Sequence, residues 1–181
     1  MAQSQAKLAT DMPKLVQGTP EQFADYMATN RKPLVDQLGG MSKQQRAAQF
    51  GQLAVDQAAA TKRYTAGRTA YVLKQEQASI QTSLSARRMN MDAAKGDPDL
   101  YMTEVNGFVG SLYKDVWQNP KLTNAAKIDM TQQAAEFAAS SDNVAVHAAM
   151  QNTKFDFPDG TSGPMLSKLP WDAQVKVDKA Q

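Results

Sequence analysis

Between Ser42 and Gly96 the chain has no proline and only two glycines, Gly51 and Gly67. A stretch so free of breakers predicts helix throughout, opened by the capping-box pattern Ser42-Lys43-Gln44-Gln45 and closed by Gly96-Asp97-Pro98. Read as one helix of about 49 residues it is roughly 73 Å long at 1.5 Å per residue. That is far beyond the usual globular helix, and a rod of this kind implies neighbours. The competing reading is two helices broken near Gly67, because an interior glycine costs about 1 kcal/mol relative to alanine.

The faces of this stretch carry the same implication. Ala47, Gly51, Ala54 and Ala58 form a stripe of small residues that lets another helix come close. Ala66, Ala70, Leu73, Ile80, Leu84 and Met91 continue an apolar line. Phe50, Tyr64 and Tyr71 share a heptad register that Gln57 interrupts, so bundle packing is expected rather than a regular coiled coil.

Helix signals also dominate on either side. Thr19-Pro20-Glu21-Gln22 reads as an N-cap, a proline at the first helical position and a capping-box glutamine, starting a short helix through Met27. Pro33 and Gly39-Gly40 bracket a second short turn of helix. Beyond Asp97-Pro98, the residues Tyr101, Val105, Phe108, Leu112 and Val116 recur on one helical face, the clearest amphipathic pattern in the chain. Asn119-Pro120 stops that helix. Thr123 caps another with Ala126, Met130, Ala134 and Phe137 on one side, and Ser141-Asp142 caps a short third. Phe155 and Phe157 alternate before the turn Asp159-Gly160, predicting a strand of a minor hairpin. Pro170 then opens a helix through Trp171, Val175 and Asp178 with no stop signal before Gln181, as expected of the ordered part of a longer polypeptide. The predicted fold class is all-α: short helices and a rod over 1–96, then a small bundle with a turn or hairpin segment near 155–166 over 97–181.

Composition narrows the function classes. Of 181 residues 42% are apolar, but many are alanine and only 7% are aromatic, so a compact core is thin. Twenty basic and eighteen acidic residues give a net charge of +2 with no basic block, which does not announce a nucleic-acid binder. The absence of cysteine removes disulfides, zinc ribbons and redox CxxC motifs. No apolar run of about 18 residues offers a membrane-spanning helix, and MAQSQAKLATDM lacks the regions of a secretory signal, so a chain made in the cytoplasm and soluble there at first is expected.

No catalytic, cofactor-binding or metal-binding residues are assigned. His147 is the only histidine, and alone it cannot build a metal site; a structural or surface role is expected. GxSxG, P-loop and GxGxxG patterns are absent. The four glutamates, Glu21, Glu76, Glu104 and Glu136, sit on predicted helices, and none is followed by the serine of a transglycosylase Glu-Ser motif. Asp156 and Asp159 beside Gly160 lack EF-hand spacing and read as a turn. Lys62, Arg63, Arg68, Lys74, Arg87 and Arg88 spread around the rod as a solvated surface. In a ring of copies the same cations multiply into a positive lumen, DNA-facing or subunit-facing. Ten methionines suit either adaptable packing surfaces or ordinary core filling.

The helix LYMTEVNGFVGSLYKDVWQNPKLT, the following NAAKIDMTQQAAEFAASSDN and the closing FDFPDGTSGPMLSKLPWDAQVKVDKAQ together resemble a segment of the internal virion, or inner-core ejection, proteins of short-tailed T7-like bacteriophages. The likeness covers Asp97 to Gln181 and is one of pattern rather than of an invariant motif. It implies a structural, non-enzymatic role without cofactors. Copies stack as a homo-oligomeric ring on the portal with other core proteins, inside the capsid and in reach of viral DNA. They leave at infection to form a conduit across the host envelope, in the periplasm or inner membrane. Two other readings stand beside it: an amphipathic helical protein coating lipid or polymer, against which the turn-rich tail from Phe155 to Trp171 argues, and a muralytic enzyme relying on Glu104 or Glu136.

Overall fold

A computed structural model describes residues 2–140 and 143–179 and is mainly all-α with one two-stranded sheet. In chain order the elements are α1 (Ala2–Leu15), α2 (Pro20–Asp36), a 3₁₀ turn (Gln37–Gly40), α3 (Lys43–Ala93), α4 (Pro98–Ser111) continued by a π-helical segment (Leu112–Trp117), α5 (Asn124–Ser140), α6 (Val144–Asn152), β1 (Lys154–Asp156), β2 (Ser162–Pro164), a second 3₁₀ turn (Met165–Lys168) and α7 (Trp171–Lys179). The expected cap at Ser141-Asp142 lies outside the described residues.

Local caps set most boundaries. Thr19 Oγ1 accepts from Gln22 N–H at 3.3 Å while the Thr19 N–H donates to Gln22 Oε1 at 2.8 Å, and Ser42 and Gln45 repeat the reciprocal pair. Asp97 accepts from the amides of Asp99 and Leu100, and Thr123 from that of Ala126. α2 runs longer than predicted. Instead of stopping near Met27 it continues through Pro33 to Asp36 and turns into the 3₁₀ segment over Gly39-Gly40. Pro33 removes one N–H from the ladder but leaves the helical path intact, and the Gln37 N–H bonds back to Pro33 O and Val35 O.

The chain forms two compact units, Met1–Lys74 and Gln75–Gln181. The division therefore falls inside α3 and not after Gly96. The reason lies in what the C-terminal half of α3 touches: Glu76 accepts from Asn119 and Lys121, Arg87 from this helix donates to Ser111, and Arg88 lies over Phe108 and Phe137.

In the first unit a small core joins the helices. Phe23 of α2 stacks on Tyr64 of α3 with centroids 4.1 Å apart, Ala60 is buried beside them, and Leu8, Met12, Leu15, Val16 and Met27 close around this pair. α3 is continuous at Gly67, so the unbroken-rod reading holds. Glycine is needed there for clearance: a Cβ would lie 2.7 Å from Val16 Cγ1. One residue on, Arg68 donates to the carbonyls of Val16 and Gln17 at 3.1 Å each, satisfying acceptors where α1 ends.

The second unit holds the larger core. Val105, Phe108, Leu112 and Val116 are fully buried, as are Met91, Val146, Met150 and Met165, while Tyr101 is half-buried and donates to Asn143 at 3.0 Å. The π turn was not legible in the sequence. It closes with Gln118 N–H bonding Tyr113 O at 2.9 Å and buries Leu112, Val116 and Trp117. Behind it a buried polar chain is satisfied link by link: Lys127 Nζ donates to Trp117 O at 2.8 Å, Trp117 Nε1 to Thr131 Oγ1 at 3.0 Å, and Thr131 Oγ1 to Lys127 O at 2.8 Å. The Lys127 cation thus sits at a helix C-terminus, where the backbone dipole favours it. The hairpin pairs Phe155 with Gly163, and Gly160 takes a positive φ of 81° in its turn. Tyr113 and Gln118 both donate to Asp156 O, tying the hairpin to the π segment.

The two glycines of α3 separate propensity from clearance. Gly51→Ala, whose methyl meets nothing, is expected to stabilise the chain by about 0.5–1 kcal/mol. Gly67→Ala is expected to destabilise it by about 1 kcal/mol, an overpacking penalty of about 1–3 kcal/mol outweighing the same propensity gain. Urea denaturation followed by far-ultraviolet circular dichroism checks both; a stabilised Gly67→Ala protein would show that Val16 does not press on the rod.

Candidate functional site

The structure separates the six candidate cations of α3 into two groups. Lys62, Arg63 and Lys74 are exposed. The three arginines nearest the cores are used internally. Arg68 bonds the end of α1 and lies 5.6 Å from the Tyr71 ring. Arg87 Nε donates to Ser111 at 2.9 Å, its guanidinium is 3.7 Å from Glu104, and it crosses Gly107 so closely that a Cβ there would meet Nη1 at 2.3 Å. Arg88 lies 4.4 Å above Phe137 and 5.5 Å from Phe108, its Nε is buried without a hydrogen-bond partner, and burial lowers its pKa. The evenly solvated surface expected for these three is therefore corrected. Sequence spacing could not show it, because their partners lie in the turn after α1 and on α4 and α5.

The small-residue stripe is placed differently from the buried line of the same helix. Ala47, Gly51, Ala54 and Ala58 are all exposed, next to exposed Phe50 and Val55. In the first unit the buried positions of α3 are Leu53, Ala60 and Tyr64. Of the continuing apolar line, Ala66 and Ala70 are exposed, Leu73 is half-buried, and Ile80, Leu84 and Met91 are buried. The stripe is therefore left exposed among the described residues, and from Gln44 to Thr61 only Arg46 and Asp56 are charged.

A concavity in the first unit was not anticipated. Between α1, α2 and α3 lies an open groove of about 780 Å³, lined by side chains such as Leu8, Phe23, Met27, Val35 and Leu53. Of its lining residues, Asn30 accepts from Lys7 and Arg31 donates to Gln57. Only the spacing of apolar residues along α2 past Pro33 could have signalled it.

The residues considered for chemistry are occupied otherwise. Glu76 accepts from Asn119 and Lys121, which lowers its pKa, the reverse of what a general acid needs. The Thr19 side chain lowers that of exposed Glu21. Glu104 faces Arg87, and Glu136 accepts from Gln132. His147 is 4% exposed on α6 with Nε2 unpartnered, a buried residue and not a surface one. Among the described residues no three His, Asp or Glu side chains are grouped to hold a metal, and no helix is long and apolar enough to cross a membrane. Asp159 is a turn residue: it accepts from the Thr161 amide at 3.0 Å, from Thr161 Oγ1 and from Lys168 Nζ at 2.6 Å, with Lys168 also bonded to Thr161. No protein-family model, curated protein or solved structure matches this chain.

The Lys168 and Thr161 donors hold the Asp159 carboxyl well below the usual carboxylate range. Its contribution to stability is therefore present above the ordinary value near pH 4 and lost as pH falls through the lower folded value. Asp159→Asn is expected to melt below the parent at pH 7, with the gap closing in acid; thermal denaturation from pH 7 to pH 2 reads it, and a gap independent of pH would assign the loss to packing.

Proposed function

We propose that this chain is a structural protein of a phage inner core, stacked on the portal in the virion and released at infection to help form a conduit through the host envelope. The resemblance of residues 97–181 supplies the kind of particle. The observation that carries the assembly role is the exposed stripe of Ala47, Gly51, Ala54 and Ala58 on α3, where small side chains beside Phe50 and Val55 permit close approach of a helix from a second copy. Contact with DNA in such a ring falls to Lys62, Arg63 and Lys74, because Arg68, Arg87 and Arg88 are engaged within the chain. The glutamates favour a non-enzymatic part, each held by a cap, an amide or a cation. A lipid- or polymer-coating helix fits less well, since the tail folds into a hairpin bonded to the π segment.

Mass photometry of the purified chain, with and without duplex DNA, tests this reading. Discrete oligomers are expected, and Gly51→Leu combined with Ala54→Leu is expected to reduce them to monomer while leaving the helical signal intact. A monomer under every condition, or oligomers indifferent to the stripe, would remove the assembly role.

A further inference from the structure

Charge is unevenly divided along the chain. Residues 1–74 carry ten basic and five acidic side chains, whereas residues 75–181 carry ten basic and thirteen acidic. One unit is thus net positive by five and the other net negative by three, a contrast hidden in the overall +2. Such asymmetry directs the basic unit towards an anionic partner.

The groove lies in this basic unit. Its interior is apolar, with Phe23, Met27, Leu34, Val35, Leu53 and Ala60 along it. Its lining also includes the exposed cations Arg31, Lys32 and Arg63, with the carboxylates Asp36 and Asp56. Arg31 is bonded to Gln57 and Asp56 accepts from Gln52, while Lys32 and Arg63 are exposed and make no ion pair among the described residues. An apolar trough with free cations at its mouth matches an amphiphile with an anionic head. Duplex DNA would use the cations and leave the trough empty.

Size agrees. The volume of about 780 Å³ falls within the roughly 300–1,000 Å³ of small-ligand sites. The α2 wall from Phe23 to Asp36 is about 20 Å long at 1.5 Å per residue, long enough to lie along the roughly 15 Å of hydrocarbon of one leaflet. We propose that the groove takes one acyl chain of an anionic bilayer lipid, with Lys32 and Arg63 at its phosphate. The inference rests on this unit's charge and groove alone and holds or fails independently of the virion reading.

Flotation of the full chain with vesicles tests it. Phosphatidylcholine vesicles containing phosphatidylglycerol are expected to bind at least ten-fold more protein than phosphatidylcholine alone. Lys32→Glu with Arg63→Glu is expected to lose about ten-fold of that binding. Ala28→Phe with Ala59→Phe, which fills the groove from exposed positions, is expected to abolish the fraction that survives high salt. Equal binding to both vesicles, or unchanged binding by the filled groove, overturns the proposal. So does binding to duplex DNA alone, abolished by charge reversal and indifferent to filling. If the filled variant loses helix content, titration of the unaltered chain with hexadecyl phosphate decides: saturable one-to-one binding that weakens about four-fold per methylene removed supports the site, and no binding, or equal binding of inorganic phosphate, overturns it. Oligomeric state is measured without lipid, so failure here and failure of the assembly reading are distinguishable.

Discussion

The 51-residue helix α3 has few charges along its N-terminal third, and in each unit it is fixed by contacts with other elements rather than left to propensity alone. The fixings are side chains of α3 reaching to carbonyls, hydroxyls and rings on other elements. Arg68 closes the end of α1, Glu76 takes up Asn119 and Lys121, and Arg87 and Arg88 lie against α4 and α5. Two glycines make the approaches possible, Gly67 against Val16 and Gly107 under Arg87. Charged side chains that look solvated along a helical wheel are here the pins of the packing.

The readings that held from sequence are those whose cause is local. Caps at Thr19, Ser42, Asp97 and Thr123 and the Asp159-Gly160 turn are decided within four residues, so they were legible. The face from Val105 to Val116 was legible because burial follows its period. Pro33 misled because a proline costs one hydrogen bond and α2 is long enough to tolerate it. The buried Lys127 and the three engaged arginines depend on partners from 10 to 52 residues away, which no short window along the chain contains.

The same distinction applies to function. The stripe on α3 was visible as a pattern, and the structure adds that it is exposed among the described residues. The groove was not visible, because it is made by α2 running past the expected stop and standing beside α3. The stripe and the groove draw on different residues of one unit, so Gly51 and Ala54 can be altered without touching the groove lining, whereas Arg63 belongs to both the groove and the cations offered to DNA.

The placement of the two tryptophans has a spectroscopic consequence. Trp117 is buried with its indole N–H on Thr131, Trp171 is 78% exposed, and both belong to residues 75–181. Residues 1–74 contain tyrosine and no tryptophan. Indole emission during denaturation therefore reports one unit, with Trp117 as the sensor of its core, whereas backbone dichroism reports both. The separation between the two unfolding curves is a direct measure of how independently the N-terminal unit melts.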